Sequence, residues 1–524
     1  IIYNFSIFLN WIRTYNNFQI RMQKYKIITL LNSFTVEEIK NFEDFLSCCY
    51  FNTRKKPLEL FKILKKYRGT ITEDNFPKEK IYQKVYNDSR SFNKNTFNDL
   101  TSQLLHLAED FLYMEYSRNN HRRKEVFLTQ KYSEKGFESL FENKVKQFKK
   151  LISSGESLDS EIFNDLYDVN VNTLNYHNSY HPIKRKPDYN FVLKSKINAF
   201  ANLTNYYLLE FAGSYINMLV TKSIYTNEEI ENDFEVFAKH IFEDEFIQRL
   251  KPYNDYPFLL DTYKKMVDMF IHLNNNHLYF DYKSDVTKYL EHFSFDEKNF
   301  HYSKLVSYCT LRLIKNPYDT EIRKELTGIA KEMISNKYYL TSRTQYLHVL
   351  LFTIFLNNFV FQKDIEALRF LIDECIPLIE KTFRSTYENL TLSYIYFLDK
   401  NYSAALNSLQ GVKSISARMN YTIKSLSIRL HYHLQNTEQV ISEVESYLKM
   451  ISSEPSTPKA KVAAESGFGK MMKRIILAES RKKVNDISYL NHLIQKNPNI
   501  ANKDWLLEIT NDYLEKNKKL KIAR

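Results

Sequence analysis

Three places in the chain combine residue types that could do chemistry. Ser466-Gly467-Phe468-Gly469-Lys470 has the look of a phosphate loop. Such a loop needs a glycine five residues before the Gly-Lys pair, and a Ser or Thr after the lysine to reach a metal. Ala464 and Met471 stand at those positions, so a flexible linker is the better reading. His177 and His181, four residues apart, would place two imidazoles on one helical face, as in many zinc sites. Pro182 directly after His181 disfavours helix there, and no third ligand is evident. The cysteines Cys48, Cys49, Cys309 and Cys375 form no CxxC unit. Four thiols in 524 residues build no disulfide framework, so buried free cysteine in a reducing cytoplasm is expected. The sequence has no Gly-x-Ser-x-Gly elbow and no His-Glu-x-x-His run. No cofactor, no metal and no catalytic residue is therefore expected.

The third place is Arg343 with His348, on a helix predicted over 341–359. This Arg-x4-His spacing resembles the short motif of the all-helical HEPN ribonucleases. The resemblance implies that the arginine steadies a phosphate while the histidine handles the proton of a 2′-hydroxyl. With 13 histidines in a Lys- and Arg-rich chain, such pairs also arise by chance, and metal-independent RNA cleavage ranks third among the functional readings.

The elements that would position any such site are helices. Glycine numbers 8 and proline 11 in 524 residues, against a usual glycine share of about 7%. Few glycines leave few left-handed turns and few phosphate cradles, which argues against Rossmann folds, barrels and sandwiches. The apolar pattern agrees. Thr35 and Glu38 form a capping-box pattern ahead of Val36, Ile39, Phe42, Phe45 and Leu46. Pro57 and Pro77 suit helix starts. Phe97, Leu100, Leu104, Leu107, Ala108, Phe111 and Leu112 mark one long apolar face. No apolar run of 18 residues occurs, so no membrane span is expected.

Helix pairs become regular towards the C-terminus. One pair is predicted around Lys400-Asn401, with matching turns at Gln362-Lys363-Asp364 and Asn436-Thr437. Ala367, Ala405 and Val440 follow these turns 38 and 35 residues apart, a period of stacked helix pairs. Leu392, Tyr396, Tyr402, Ala405, Leu409 and Val412 are spaced as in a tetratricopeptide repeat, and about residues 345–450 resemble that family. Ser393 stands at its small helix-A position and Ala417 replaces its closing proline. The resemblance implies a right-handed helical solenoid whose concave face binds peptides or proteins.

The predicted organisation follows. Residues 1–24 read as an extension or upstream translation, because Met22 looks like a natural start. An N-terminal helical module covers 25–118, and a helical array of uncertain type covers 119–340. TPR-like pairs cover 341–451, a Ser-, Pro- and Gly-bearing linker 452–469, and a basic helical tail 470–524. The fold class is all-α, a module followed by an α-α solenoid-like array.

The net charge is +12. Residues 22–150 and 459–524 each carry +8, whereas 151–458 are net acidic. Basic ends bind phosphate backbones or acidic protein surfaces. The residues expected to meet a partner are Arg481, Lys482, Lys483, Lys516, Lys518 and Lys519. The leading functional expectation is a non-enzymatic cytoplasmic scaffold with a protein partner. The second is a nucleic-acid-binding or regulatory protein using its basic termini.

Overall fold

A computed structural model describes residues 26–70, 76–86, 91–153, 158–179, 189–225, 233–342, 344–453, 459–497 and 499–522. The expected extension 1–24 lies outside them. The described residues form twenty-four α-helices and no strand; a lone bridge joins Leu158 and Phe293. The chain is all-α. No described helix is long and apolar enough to cross a membrane. Packing divides the chain into two units, one of residues up to 154 with 165–200, the other of 155–164 with everything from 201.

The first unit begins with α1 (Lys26–Ser33), α2 (Val36–Ser47), α3 (Lys55–Lys65), α4 (Lys78–Tyr86) and α5 (Lys94–Asn119). The capping box is made as its residues imply. The Thr35 hydroxyl accepts from the Glu38 amide, and the Thr35 amide donates back to the Glu38 carboxylate. Each helix turns one apolar stripe inwards, because residues three and four apart share a face. The stripes meet in one core rich in phenylalanine. Phe42 lies fully buried at 5.1–6.3 Å from the rings of Phe34, Phe45, Phe61 and Phe111. After Asn120 come α6 (His121–Lys135), α7 (Glu138–Ser153) and α8 (Glu161–Ser179). Arg122 and Arg123 hold the fully buried Asp165 carboxylate. Helix α9 is Tyr189–Tyr225.

The second unit continues with α10 (Phe234–Ile241), α11 (Asp244–Leu250), α12 (Pro257–Ile271), α13 (Asn276–Lys288), α14 (Phe295–Lys315) and α15 (Thr320–Ser335). Next come α16 (Val349–Gln362), α17 (Ile365–Phe370), α18 (Lys381–Leu398), α19 (Tyr402–Gln410), α20 (Ala417–His433) and α21 (Thr437–Ser452). The last three are α22 (Lys459–Ser480), α23 (Val484–Lys496) and α24 (Lys503–Ile522). From α14 onwards, helices pack chiefly on their neighbours in sequence.

The same turn closes α16, α18, α20 and α22. Lys363, Lys400, Gln435 and Lys482 take left-handed backbone, with φ of 53–60°. In each turn that residue's amide bonds the carbonyl three back, and the next amide bonds the carbonyl five back, as Lys400 N–H does to Phe397 and Asn401 N–H to Tyr396. This is the Schellman ending, usually built on glycine. Asp364 and Asn401 then cap the following helices through their side chains. A chain short of glycine makes these left-handed turns with lysine and glutamine, at a steric cost of about 1 kcal/mol each.

Residues 452–469, expected as a linker, include the first half of α22. Gly467 and Gly469 lie inside that helix as contact residues. A Cβ on Gly469 would sit 2.8 Å from Leu448 Cδ2, so the glycine lets α21 and α22 approach. The expected basic tail is likewise part of a core. Phe468, Ile475, Ile487, Leu490, Trp505, Leu506 and Ile509 share one apolar cluster with Tyr421, Val440 and Tyr447.

Candidate functional site

Four of the residues expected to meet a partner, Arg481, Lys482, Lys483 and Lys516, lie near one end of α22. Arg481, Lys482 and Lys483 make the three-residue turn between α22 and α23, and all three are exposed. Helix α24 packs on both and carries exposed Lys516 and Lys518 back towards that turn. Lys519 follows on the same helix, its side chain outside the described residues. The convergence is seen at Glu479, one turn before the loop. Burial raises its carboxyl pKa, while the Tyr432 hydroxyl, which donates to it at 2.7 Å, and the Lys516 ammonium pull it down. Lys483 lies 3.7 Å from Asp486 across an exposed turn, a pair worth under about 1 kcal/mol. Arg481 and Lys482 follow the C-terminus of α22, where cations interact favourably with the backbone dipole.

The other face of α24 is acidic and closes the unit on itself. The Tyr318 hydroxyl donates to Asp504 at 2.6 Å, Lys363 pairs with Glu508 at 3.2 Å, and Trp505 Nε1 donates to His433 Nε2 at 2.9 Å. His433 in turn stacks on Tyr402 with ring centroids 4.2 Å apart. Asp504 and Glu508, four apart on α24, thus reach two turns that lie far upstream in sequence. The i, i+4 spacing of Asp504 and Glu508 is plain in the sequence; their partners, 186 and 145 residues away, are not.

The chemical candidates do not assemble. Ser466 to Lys470 lie within α22, where helical amides bond other carbonyls and cannot cradle a phosphate. His177 lies in α8 with its ring centroid 4.6 Å from that of Phe191, and His181 is outside the described residues. No group of three His, Cys, Asp or Glu able to hold a metal occurs among the described residues. The helix expected over 341–359 begins only at Val349. His348 is its N-cap, its Nδ1 accepting from the Leu350 amide at 3.2 Å, and Arg343 lies outside the described residues. Desolvation lowers the His348 pKa. A histidine spent on capping a helix is a poor proton carrier for RNA cleavage.

One buried polar cluster escaped the sequence reading. On α14, Glu297, His301 and Lys304 fall at i, i+4 and i+7, and all three are buried. Tyr263 of α12 donates to Glu297, and Tyr282 of α13 meets His301 Nδ1 at 2.7 Å. Lys304 Nζ bonds Asn217 Oδ1 and lies 4.8 Å from the Phe300 ring centre. Burial without a carboxylate partner pushes the Lys304 pKa down to about 7. Except for His301 Nε2, which is buried without a hydrogen-bond partner 3.5 Å from Glu297 Oε1, the groups bond within the helical layers, which makes the cluster a polar part of the core. Burial also pushes the Cys309 and Cys375 thiols up to about 12, so both are inert at neutral pH.

No family model, no curated protein and no solved structure matches this chain. The functional reading therefore rests on the chain's own residues.

Proposed function

We propose that this protein is a non-enzymatic scaffold that binds a protein partner through its C-terminal helix pairs. The observation that carries this reading is the turn repeated at Lys363, Lys400, Gln435 and Lys482. A recurring turn builds recurring helix pairs, and stacked pairs bury a continuous core while leaving a long surface for partners. The TPR-like spacing over about residues 345–450 supports the same reading. The basic end formed by Arg481, Lys482, Lys483, Lys516, Lys518 and Lys519 is the part of that surface suited to an acidic partner. Free thiols, two of them exposed at Cys48 and Cys49, suit a reducing cytoplasm.

The test is affinity purification of the tagged full chain from its native host, with and without nuclease. A stoichiometric protein that survives nuclease supports the scaffold. Proteins that leave with the nucleic acid move the function to the basic termini as nucleic-acid binders. A chain that emerges alone in both samples removes the scaffold reading.

A further inference from the structure

The N-terminal module carries a basic face that its fold does not use. Apart from Glu59 and Glu79, every charged side chain described between 54 and 84 is Lys or Arg. Helix α3 buries Pro57, Leu60, Phe61 and Leu64, so Lys55, Lys62 and Lys66 at i, i+7 and i+11 fall on the opposite, exposed side. Two nearby carboxylates are already engaged: Glu59 pairs with Lys56 at 2.7 Å and Glu43 with Lys65 at 2.6 Å.

The bases converge at the end of α3. Lys84 of α4 donates to the Tyr67 hydroxyl at 2.7 Å, and its ammonium lies 5.2 Å from that ring's centre. Lys84, through its hydrogen bond and its charge, and then Lys66 and Lys80 draw the Tyr67 pKa down. Three like charges around one hydroxyl do not help a helix pair fold, since all three lysines are exposed. They form a site that an anion would complete. At the other end of α3, the loop before Arg54 and Lys55 presents Tyr50, 84% exposed. An 11-residue helix is about 16 Å long, the reach of a few nucleotides. Cations on a helix that follows an exposed ring, Tyr50, match single-stranded nucleic acid, whose phosphates take the cations and whose bases stack on rings. An acidic peptide would use the cations and leave that ring idle.

We infer that the α3–α4 face, with Lys66, Lys80 and Lys84 around Tyr67 and Tyr50 at the other end of α3, is a binding site for single-stranded nucleic acid. The site stands apart from the scaffold reading, which concerns the other unit.

The test uses the full chain and a fluorescein-labelled 15-nucleotide oligothymidylate, followed by fluorescence anisotropy between 50 and 200 mM salt. The triple variant Lys66→Gln, Lys80→Gln, Lys84→Gln changes only exposed side chains, and circular dichroism checks its fold. The expected results are binding at least about tenfold weaker and a salt slope reduced by about 2, from three lost phosphate contacts at about 0.7 each. Tyr50→Ala should weaken binding about fivefold or more through lost stacking. Unchanged binding in the triple variant overturns the site, as does no binding by the wild type at 50 mM salt. Equal competition by polyglutamate would show that charge alone is read and that the partner is an acidic protein. Equal affinity for duplex DNA would overturn the single-strand assignment.

Discussion

The N-terminal module and the C-terminal helix pairs use charge in opposite ways. Between Lys26 and Asn119 the core is apolar, Thr101 being the one buried polar side chain described there. Most lysines of α3 and α4, among them Lys55, Lys62, Lys80 and Lys84, stay in water. The C-terminal pairs instead bury Arg429, Glu465, Asn491 and Thr510. Tyr447 donates to Glu465, Lys461 pairs with Glu465, and the Arg429 guanidinium lies 5.0 Å from the Phe397 ring centre. Buried charge is costly and adds little net stability, but its geometry is demanding. The comparison teaches where function can reside. Charge the fold consumes sets helix register, and charge the fold leaves exposed is available to partners.

The largest effect should come from the apolar core. Phe42→Ala removes a ring in contact with four others and should destabilise the N-terminal module by about 3–5 kcal/mol. Limited proteolysis would show it as loss of protection before residue 120; a cost near zero would break the picture of one cooperative aromatic core. In the C-terminal region, Glu465→Leu strands the Tyr447 hydroxyl and removes the carboxylate acting on Arg429. Urea unfolding should report a loss of about 2–4 kcal/mol. Stability equal to wild type would show that the buried charge is idle.

A pH series sharpens the same contrast. Lys304 has a folded pKa lowered to about 7, below its ordinary 10.5. Between those values the unfolded chain binds one more proton than the folded one, so stability rises with pH. The gain is up to about 1.4 kcal/mol per pH unit from pH 7 towards 9. Lys304→Met should flatten that rise and melt higher at pH 7.5; an unchanged pH profile would contradict an unpaired buried amine. The smallest effect belongs to the turns. Lys400→Gly relieves left-handed strain and should stabilise by about 0.5–1 kcal/mol, whereas Lys400→Ala should leave the strain in place. A destabilised glycine variant would mean that the lysine side chain holds the turn.

Local features were legible in the sequence and distant ones were not. The Thr35–Glu38 box, the stripe from Phe97 to Phe111 and the caps at Asp364 and Asn401 depend on residues within one or two turns, so their pattern is their structure. Gly467 and Gly469 misled because small residues serve flexible links and tight helix contacts alike; Ile500 beside Gly467 and Leu448 beside Gly469, both distant in sequence, decide between them. His348 misled for a related reason. Its neighbours allow a helix, but Val349 is where the helix begins. The Glu297, His301 and Lys304 stripe has helical spacing on its face, yet its meaning comes from Tyr263, Tyr282 and Asn217 on three other helices. Lys66, Lys80 and Lys84 read as ordinary solvated lysines until the packing of α3 and α4 sets them around Tyr67.

The most direct test of two surfaces with two kinds of partner is one purification from the native host with three chains. These are the wild type, the triple variant Lys66→Gln, Lys80→Gln, Lys84→Gln, and the quadruple variant Arg481→Glu, Lys482→Glu, Lys516→Glu, Lys518→Glu. Co-purifying protein is weighed after nuclease treatment, and co-purifying nucleic acid without it. The account predicts that the quadruple variant loses the protein partner and keeps nucleic acid, and that the triple variant does the reverse. A partner protein bound equally by all three chains, or both partners lost together in either variant, would contradict it.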